Sequence, residues 1–299
     1  MNRFISFILA LVCSCGCYFA SGASQVVEEL VLPAVPATLL APNDRADFII
    51  EHFWDNLDFA NDARAKNHDF MEQNFVNFLS VFPIADEGSR HTAVNTLMSK
   101  LSDDSRDYLE MMKLAEKYLF EPQSPMASDD TYELFVRNIL ANPGIPSEYK
   151  IRYRAHLEAI QKNRPGTVAS DFTYETADGV TSSLYKTLTP NKLLLVFYDP
   201  DCDHCGEVMQ QLKANDVLAK KVADNDLAVM AIYSGDEKDL WKERLPLVPE
   251  GWITGYDDGT LQDDGLYIMR MMPTLYILDS DKRVVAKDIK PETLLDSLR

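Results

Sequence analysis

Two cysteines separated by two residues lie where an apolar strand pattern ends and a helical pattern begins. They are Cys202 and Cys205, and the run before them, residues 193–198, reads LLLVFY. A cysteine at the start of a helix has its thiolate stabilised by unpaired backbone N–H groups and by the helix dipole. The second cysteine of such a pair can attack the first and close a reversible disulfide. The spacing and its position therefore predict thiol–disulfide exchange, with Cys202 attacking and Cys205 resolving.

The other cysteines of the 299-residue chain lie near its N-terminus. They are Cys13, Cys15 and Cys17. Their segment has a positive start, an apolar centre and small residues at 21–23, which is the pattern of a signal peptide. Its removal leaves one close cysteine pair, whereas a disulfide-stapled exported protein needs more cysteines in distant segments. The alternative that stays open is a small structural disulfide between Cys202 and Cys205.

The type of signal peptide determines whether the mature protein is anchored to a membrane. We expect a signal peptide over residues 1–23 and a linker over 24–44. Residues 12–15 and 14–17 both resemble the lipidation box of bacterial lipoproteins, although neither has its preferred Leu-Ala-Gly spelling. Soluble and lipid-anchored forms both remain open, and each predicts a periplasmic or other extracytoplasmic location. A lipid anchor is the one membrane contact that we expect.

The charge balance excludes one class of partner. Asp and Glu number 47 against 29 Lys and Arg, which gives a formal net charge of -18. Such a surface repels phosphate backbones, so nucleic acid is not expected as a partner. The expected partners are protein thiols and disulfides, together with an upstream redox partner that regenerates the cysteine pair.

The first half of the chain has a helical pattern. Between residues 45 and 163 apolar side chains recur at helical spacing, and Ser or Asp residues precede several of these stripes as start signals. About six helices follow from this pattern. We therefore expect an all-α domain over residues 45–163.

Beyond residue 164 the pattern changes to strands that alternate with helices. Strands are predicted at 193–198, 227–233, 275–278 and 284–287, and helices at 203–221, at 237–242 and from 291 onward. This alternation predicts a mostly parallel central sheet, and the turn at 279–281 adds an antiparallel hairpin, so that the sheet is mixed. In the first of these helices the apolar stripe includes Cys205 but not Cys202. We therefore expect Cys205 to face the core and Cys202 to face outward.

Residues 166–299 resemble the thioredoxin-like domain of exported thiol–disulfide oxidoreductases of the TlpA and ResA type. The matching features are residues 169–172, the Asp178-Gly179 turn, the Cys202-Asp203-His204-Cys205 motif after its strand, and Met272-Pro273-Thr274 before the next. The resemblance implies an α/β thioredoxin-like fold over residues 164–299, with a central mixed sheet flanked by helices. It also implies that Pro273 forms a cis peptide bond and faces the disulfide, and hence belongs to the catalytic site.

The helical half is similar to an uncharacterised domain that is fused to such modules in Bacteroides-type bacteria. Residues 51–55 (EHFWD) and 118–125 (YLFEPQSP) carry this similarity. That family implies no function for the helical half.

At two positions where related proteins carry a carboxylate, this chain has valine. Val196 stands where thioredoxin has a buried aspartate, and Val208 stands where ResA-type proteins have a glutamate. Glu207 lies one place from the second position, but helical phase turns it away from Cys205. The group that accepts the Cys205 proton is thus left unassigned.

Charged neighbours tune the attacking thiolate. A protonated His204 would stabilise a thiolate at Cys202, whereas Asp203, with Asp199 and Asp201, would disfavour it. These effects oppose each other, so the sequence does not fix the direction of exchange. The resemblance favours a reductase.

Other chemistries fit the sequence less well. His204 is the one histidine of the second half, which argues against copper and zinc sites. We expect no metal and no cofactor other than a redox-active disulfide between Cys202 and Cys205. Two functions remain: an extracytoplasmic thiol–disulfide oxidoreductase, and a binding module with a structural disulfide whose helical half captures a protein or surface ligand.

Overall fold

A computed structural model describes residues 28–101 and 104–294 of the chain. The expected signal peptide with its three cysteines lies outside these residues, as does the end of the helix expected from residue 291. Within the two described stretches, no helix combines the length and the apolar character needed to cross a bilayer.

Six α-helices form the first half of the described chain, as the sequence predicts. They are α1 Pro42–Glu51, α2 His68–Leu79, α3 Glu87–Lys100, α4 Ser105–Ala115, α5 Asp129–Ala141 and α6 Ser147–Gln161. Their apolar stripes meet in one core that is rich in aromatic rings, with Phe75, Phe78 and Phe135 fully buried. Burial of this many aromatic side chains is what stabilises helices whose individual propensity is modest.

Polar caps fix where three of these helices begin. Asn67 accepts a hydrogen bond from the Phe70 N–H before α2, at 3.1 Å. Asp104 and Ser128 act in the same way before α4 and α5. Each cap satisfies an N–H group that has no partner within its own helix.

A single π-helical turn, Glu116–Phe120, continues α4. Inside this turn the Glu121 N–H donates to the Glu116 carbonyl at 3.1 Å, and beyond it the Ser128 N–H donates to the Leu119 carbonyl at 2.9 Å. The Phe120 carbonyl is thereby left for a donor from the second half of the chain. Such turns are rare and occur often at functional sites.

Seven strands form one sheet in the second half of the described chain. They are β1 Thr173–Glu175, β2 Thr181–Ser183, β3 Lys192–Phe197, β4 Leu227–Ser234, β5 Ile253–Asp257, β6 Thr274–Asp279 and β7 Val284–Ala286. The strand order is β2-β1-β5-β4-β3-β6-β7, and helices cover the sheet.

The sheet is mixed, but the expectation that it is mostly parallel is wrong. Only the β3–β4 and β4–β5 pairs are parallel, and the other four pairs are antiparallel. After β5 the chain stays at the end of the sheet where β3, β4 and β5 finish, and it enters β6 from that end. Therefore β6 runs antiparallel to β3, without the crossover that a parallel neighbour needs.

Two further elements differ from the sequence prediction. Strand β5 was not expected, because its sequence ITGYD contains a glycine and two polar residues rather than an apolar run. The helix expected over 203–221 is divided into α7 Asp203–Lys213 and α8 Asp216–Ala223. Asn215 causes the break, because its side chain accepts hydrogen bonds from the Val217 and Leu218 N–H groups at 3.1 and 3.0 Å and thus starts a new helix.

Strand β3 is the centre of the domain, since both of its faces are buried. Leu194 and Val196 pack on the side that contains α7, whereas Leu193, Leu195 and Phe197 pack on the other. The alternation follows from the two-residue period of a strand, and burial on both faces explains its continuous apolar sequence. Two shorter helices, α9 Lys238–Arg244 and α10 Thr260–Asp263, complete the domain.

The close packing around β5 yields a stability prediction. A Cβ atom at Gly255 would lie 2.5 Å from both Ile232 Cδ1 and Tyr174 Cδ2. Gly255→Ala should therefore destabilise the protein by about 1–3 kcal/mol through overpacking. Urea unfolding of the variant measures this loss.

A second glycine provides the control. A Cβ atom at Gly88, in α3, has open space around it. Gly88→Ala should leave stability unchanged or raise it slightly, because alanine favours the helix. Equal unfolding free energies for the two variants would contradict the close packing of Gly255 against Ile232 and Tyr174.

Candidate active site

Cys202 is the N-cap residue of α7, directly after the central strand. Its Sγ accepts a hydrogen bond from the Cys205 backbone N–H, with a donor–acceptor distance of 3.3 Å. That N–H is one of the groups at a helix start that lack an intrahelical partner. Because such a donor favours a negative sulfur, this geometry suits a nucleophilic thiolate.

The two sulfurs lie in different environments, as helical phase predicts. Cys202 is half-buried, whereas Cys205 is 1% exposed, and both are free thiols. Burial raises the pKa of the Cys205 thiol to about 12, and a hydrogen bond from the Asp199 backbone opposes this rise only in part. Cys205 is therefore held protonated, one helical turn beneath a more accessible sulfur.

Pro273 lies at the same end of the sheet as the cysteines. The Met272–Pro273 peptide bond is cis, as the family resemblance implies. Thr274 pairs with Phe197 in the β3–β6 ladder, so that Pro273 lies beside the residue that follows β3. Pro273 is buried, and Met272 packs against the core that contains Cys205. The fold thus places the three residues that the sequence predicts as catalytic at the same end of the sheet.

His204 and Asp203 occupy the first turn of α7, and both are exposed. The His204 Nδ1 atom lies 3.9 Å from Glu207 Oε2, and these side chains are 57% and 74% exposed. A solvent-exposed pair at this distance contributes little free energy. The roles of His204 and Asp203 in tuning the thiolate stay predictions.

Sequence reasoning missed two buried polar groups beside the cysteines. The Tyr198 hydroxyl and the Trp241 indole nitrogen are both buried. Both side chains belong to the same core as Cys205. Burial raises the pKa of Tyr198 to about 12, Trp241 opposes this rise, and negative charge on Cys205 adds to it. Negative charge on Cys205 thus acts on Tyr198, but the position of Tyr198 at the end of an apolar run indicated only a core residue.

No group of three or more His, Cys, Asp or Glu side chains in residues 28–101 and 104–294 is arranged to hold a metal ion.

The fold and the site together define a class of protein: a thioredoxin-fold domain with a Cys-x-x-Cys pair at the start of a helix, preceded by a helical domain. A family model described as a domain of unknown function (DUF5106) matches residues 19–163. A crystal structure of a thioredoxin-like protein from Bacteroides caccae is similar over both halves. The two chains are 33% identical, the match covers 91% of this chain and 98% of that one, and the TM-score is 0.84. The chain therefore belongs to the family of thioredoxin-like proteins, which confirms the predicted resemblance and fold class.

Two structures from Bacteroides fragilis match a smaller part of the chain. A conserved protein of unknown function is 35% identical over 46% of this chain and 99% of its own, with a TM-score of 0.44. The C-terminal domain of an uncharacterised protein is 36% identical over 46% of this chain and 97% of its own, also with a TM-score of 0.44. No curated protein matches the chain. The domain boundaries given above stay predictions.

The unequal environments of the two cysteines predict selective alkylation. In the reduced, folded protein at pH 7, iodoacetamide should modify Cys202 at least roughly tenfold faster than Cys205, because only the thiolate of an accessible sulfur reacts. Tandem mass spectrometry of the peptide that contains both cysteines measures the two rates. In urea the rates should become similar. Equal rates in the folded protein would contradict the burial of Cys205.

Proposed function

We propose that this protein is a thiol–disulfide oxidoreductase that reduces disulfides of client proteins outside the cytoplasm. The observation that carries the proposal is the unequal pair: Cys202 is half-buried and accepts the Cys205 N–H at 3.3 Å, while Cys205 is buried beneath it. A purely structural disulfide does not need a first sulfur that is accessible and hydrogen-bonded to a backbone N–H group.

The exchange proceeds in two displacements. The Cys202 thiolate attacks one sulfur of the client disulfide, the client S–S bond breaks, and the other client sulfur leaves as a thiolate that takes up a proton. Cys205 then loses its proton and attacks Cys202. The mixed disulfide breaks, the second client sulfur leaves as a thiolate, and a Cys202–Cys205 disulfide remains. Two electrons have moved from the pair to the client, and an upstream dithiol must restore them.

The family resemblance favours the reductase direction, and the carboxylates near Cys202 act in the same sense, whereas a protonated His204 would act against them. Asp199, Asp201 and Asp203 lie within three residues of Cys202, and the latter two are exposed. Nearby carboxylates disfavour a thiolate and therefore destabilise the reduced pair. A less stable reduced form is a stronger reductant.

The location and the partners belong to the same proposal. The N-terminal sequence pattern supports export, in either a soluble or a lipid-anchored form. We infer that the clients are protein disulfides, that the donor is a second dithiol protein, and that the pair itself serves in place of a cofactor.

Two serine variants test the proposal. The wild-type protein should accelerate reduction of insulin disulfides by dithiothreitol, whereas Cys202→Ser should reduce the rate to background. Reduced Cys205→Ser, separated from dithiothreitol and then mixed with insulin, should instead accumulate a mixed disulfide, since attack remains possible but the protein has no second thiol for release. Non-reducing electrophoresis followed by mass spectrometry detects this adduct.

A measurement of the reduction potential identifies the competing function. A potential below about -300 mV, together with no acceleration by the wild-type protein, would indicate a structural disulfide. The binding-module function would then replace the oxidoreductase proposed here.

A further inference from the structure

Arg270 connects the segment before Pro273 to the helical half. Its side chain is 12% exposed, although it carries a full positive charge. One guanidinium nitrogen, Nη1, donates to the Phe120 carbonyl at 3.2 Å and to Asp129 Oδ1 at 2.9 Å. The other, Nη2, donates to Asp288, which follows β7. Arg270 thus binds groups from both halves of the chain at once.

An aromatic stack lies behind these hydrogen bonds. The guanidinium carbon of Arg270 is 4.7 Å from the centre of the Phe120 ring. Phe120 is in turn stacked on His156, with ring centres 4.1 Å apart and planes inclined by 20°. Burial lowers the pKa of His156 to about 4, so that the ring is neutral at pH 7. The helical half therefore presents an uncharged aromatic face to the cation, the arrangement that cation–π attraction needs.

Two more cations from the second half contact acceptors of the helical half. Lys287 pairs with Asp129 at 2.9 Å, and its Nζ also donates to the carbonyls of Ala159 and Ile160 near the end of α6. Lys290 donates to the Ser124 carbonyl at 2.9 Å. The halves are therefore joined by directional hydrogen bonds from buried or partly buried cations, and such bonds define a geometry more sharply than apolar contact does.

Arg270 is close to the proposed site along the chain. It precedes Pro273 by three residues, and the Thr274 hydroxyl donates to the Met271 carbonyl within this segment. On the other side the Ile289 N–H donates to the Leu275 carbonyl at 3.2 Å. The Arg270–Asp288 pair and the Ile289–Leu275 hydrogen bond therefore link the segment after β7 to the start of β6. Arg270 in turn links this region to the helical half.

We propose that Arg270 is a positioning residue, which uses the helical half as an anchor to hold residues 271–273 in place beside Cys202. This inference rests on the proposed function. It gives the helical half a role in catalysis that needs no ligand of its own. A client polypeptide must lie against residues 271–273 to present its disulfide to Cys202, whereas a small disulfide needs only the sulfur itself.

The test compares two arginines that both join the halves. Arg164 pairs with Asp130 and Glu133, at 2.5 and 2.7 Å, but it belongs to the connection before the sheet and not to the segment that leads to Pro273. Arg270→Ala, Arg270→Lys and Arg164→Ala are made in the full chain. Each is assayed for kcat and KM with insulin, for its rate with oxidised glutathione, and for thermal unfolding.

Arg270→Ala should lower kcat/KM for insulin by about tenfold, the size of effect that a small misplacement produces, and should leave the glutathione rate within about twofold. Arg270→Lys should recover part of the loss, because it keeps the charge. Arg164→Ala should lower the unfolding temperature without this selective loss. Equal insulin kinetics for Arg270→Ala and Arg164→Ala would overturn the inference, as would an equal loss with both substrates. An inactive wild-type protein would instead reject the proposed function.

If Arg270→Ala does not fold, a second variant tests the same inference. Phe120→Leu removes the stacked ring but keeps the carbonyl that accepts from Arg270. It should cause a smaller loss of the same selective kind, together with faster amide hydrogen exchange in a peptide that covers residues 268–275. Unchanged exchange in that peptide and unchanged insulin kinetics would contradict the inference.

Discussion

The structure depends on how the central strand ends. Strand β3 is buried on both faces, with β4 on one side and β6 on the other, so its position is fixed more tightly than that of the edge strands. The chain leaves this strand and reaches the N-cap of α7 within five residues. A rigid strand thus places Cys202 where an unpaired N–H group meets its sulfur. Because β6 runs antiparallel to β3 and begins where β3 ends, Pro273 lies at the same end of the sheet.

The parts of this arrangement that the sequence predicted are those in which local pattern and burial agree. The six helices, strand β3 and the inward face of Cys205 all follow from periodicity. The elements that the sequence did not predict have a different cause. Strand β5 has no apolar run, and its Gly255 is required by a close approach that only the assembled sheet creates. The direction of β6 depends on which end of the sheet the preceding connection occupies. No residue pattern within β6 indicates which end that is.

The contacts of Arg270 were beyond sequence reasoning for a similar reason. Its acceptors in the helical half are about 140 to 150 residues earlier in the chain, and one of them is a carbonyl made available by a π-helical turn. The chain as a whole is strongly acidic, yet the second half presents Arg270, Lys287 and Lys290 to the first. Carbonyls at the ends of helices, such as that of Ile160 near the end of α6, attract cations such as Lys287.

In the proposed mechanism the two displacement steps place unequal demands on the protein. Attack uses the accessible sulfur of Cys202 at the start of α7. Release needs Cys205 to lose a proton from a buried position, and Val196 offers no carboxylate to accept it, while Tyr198 is itself buried and weakly acidic. We therefore expect release of the client to be the slower of the two proposed steps. Under the proposal for Arg270, a fixed segment at residues 271–273 keeps the client aligned with Cys205 until release. In this proposal the burial of Cys205 slows release, and that delay is the reason why the client needs to be positioned.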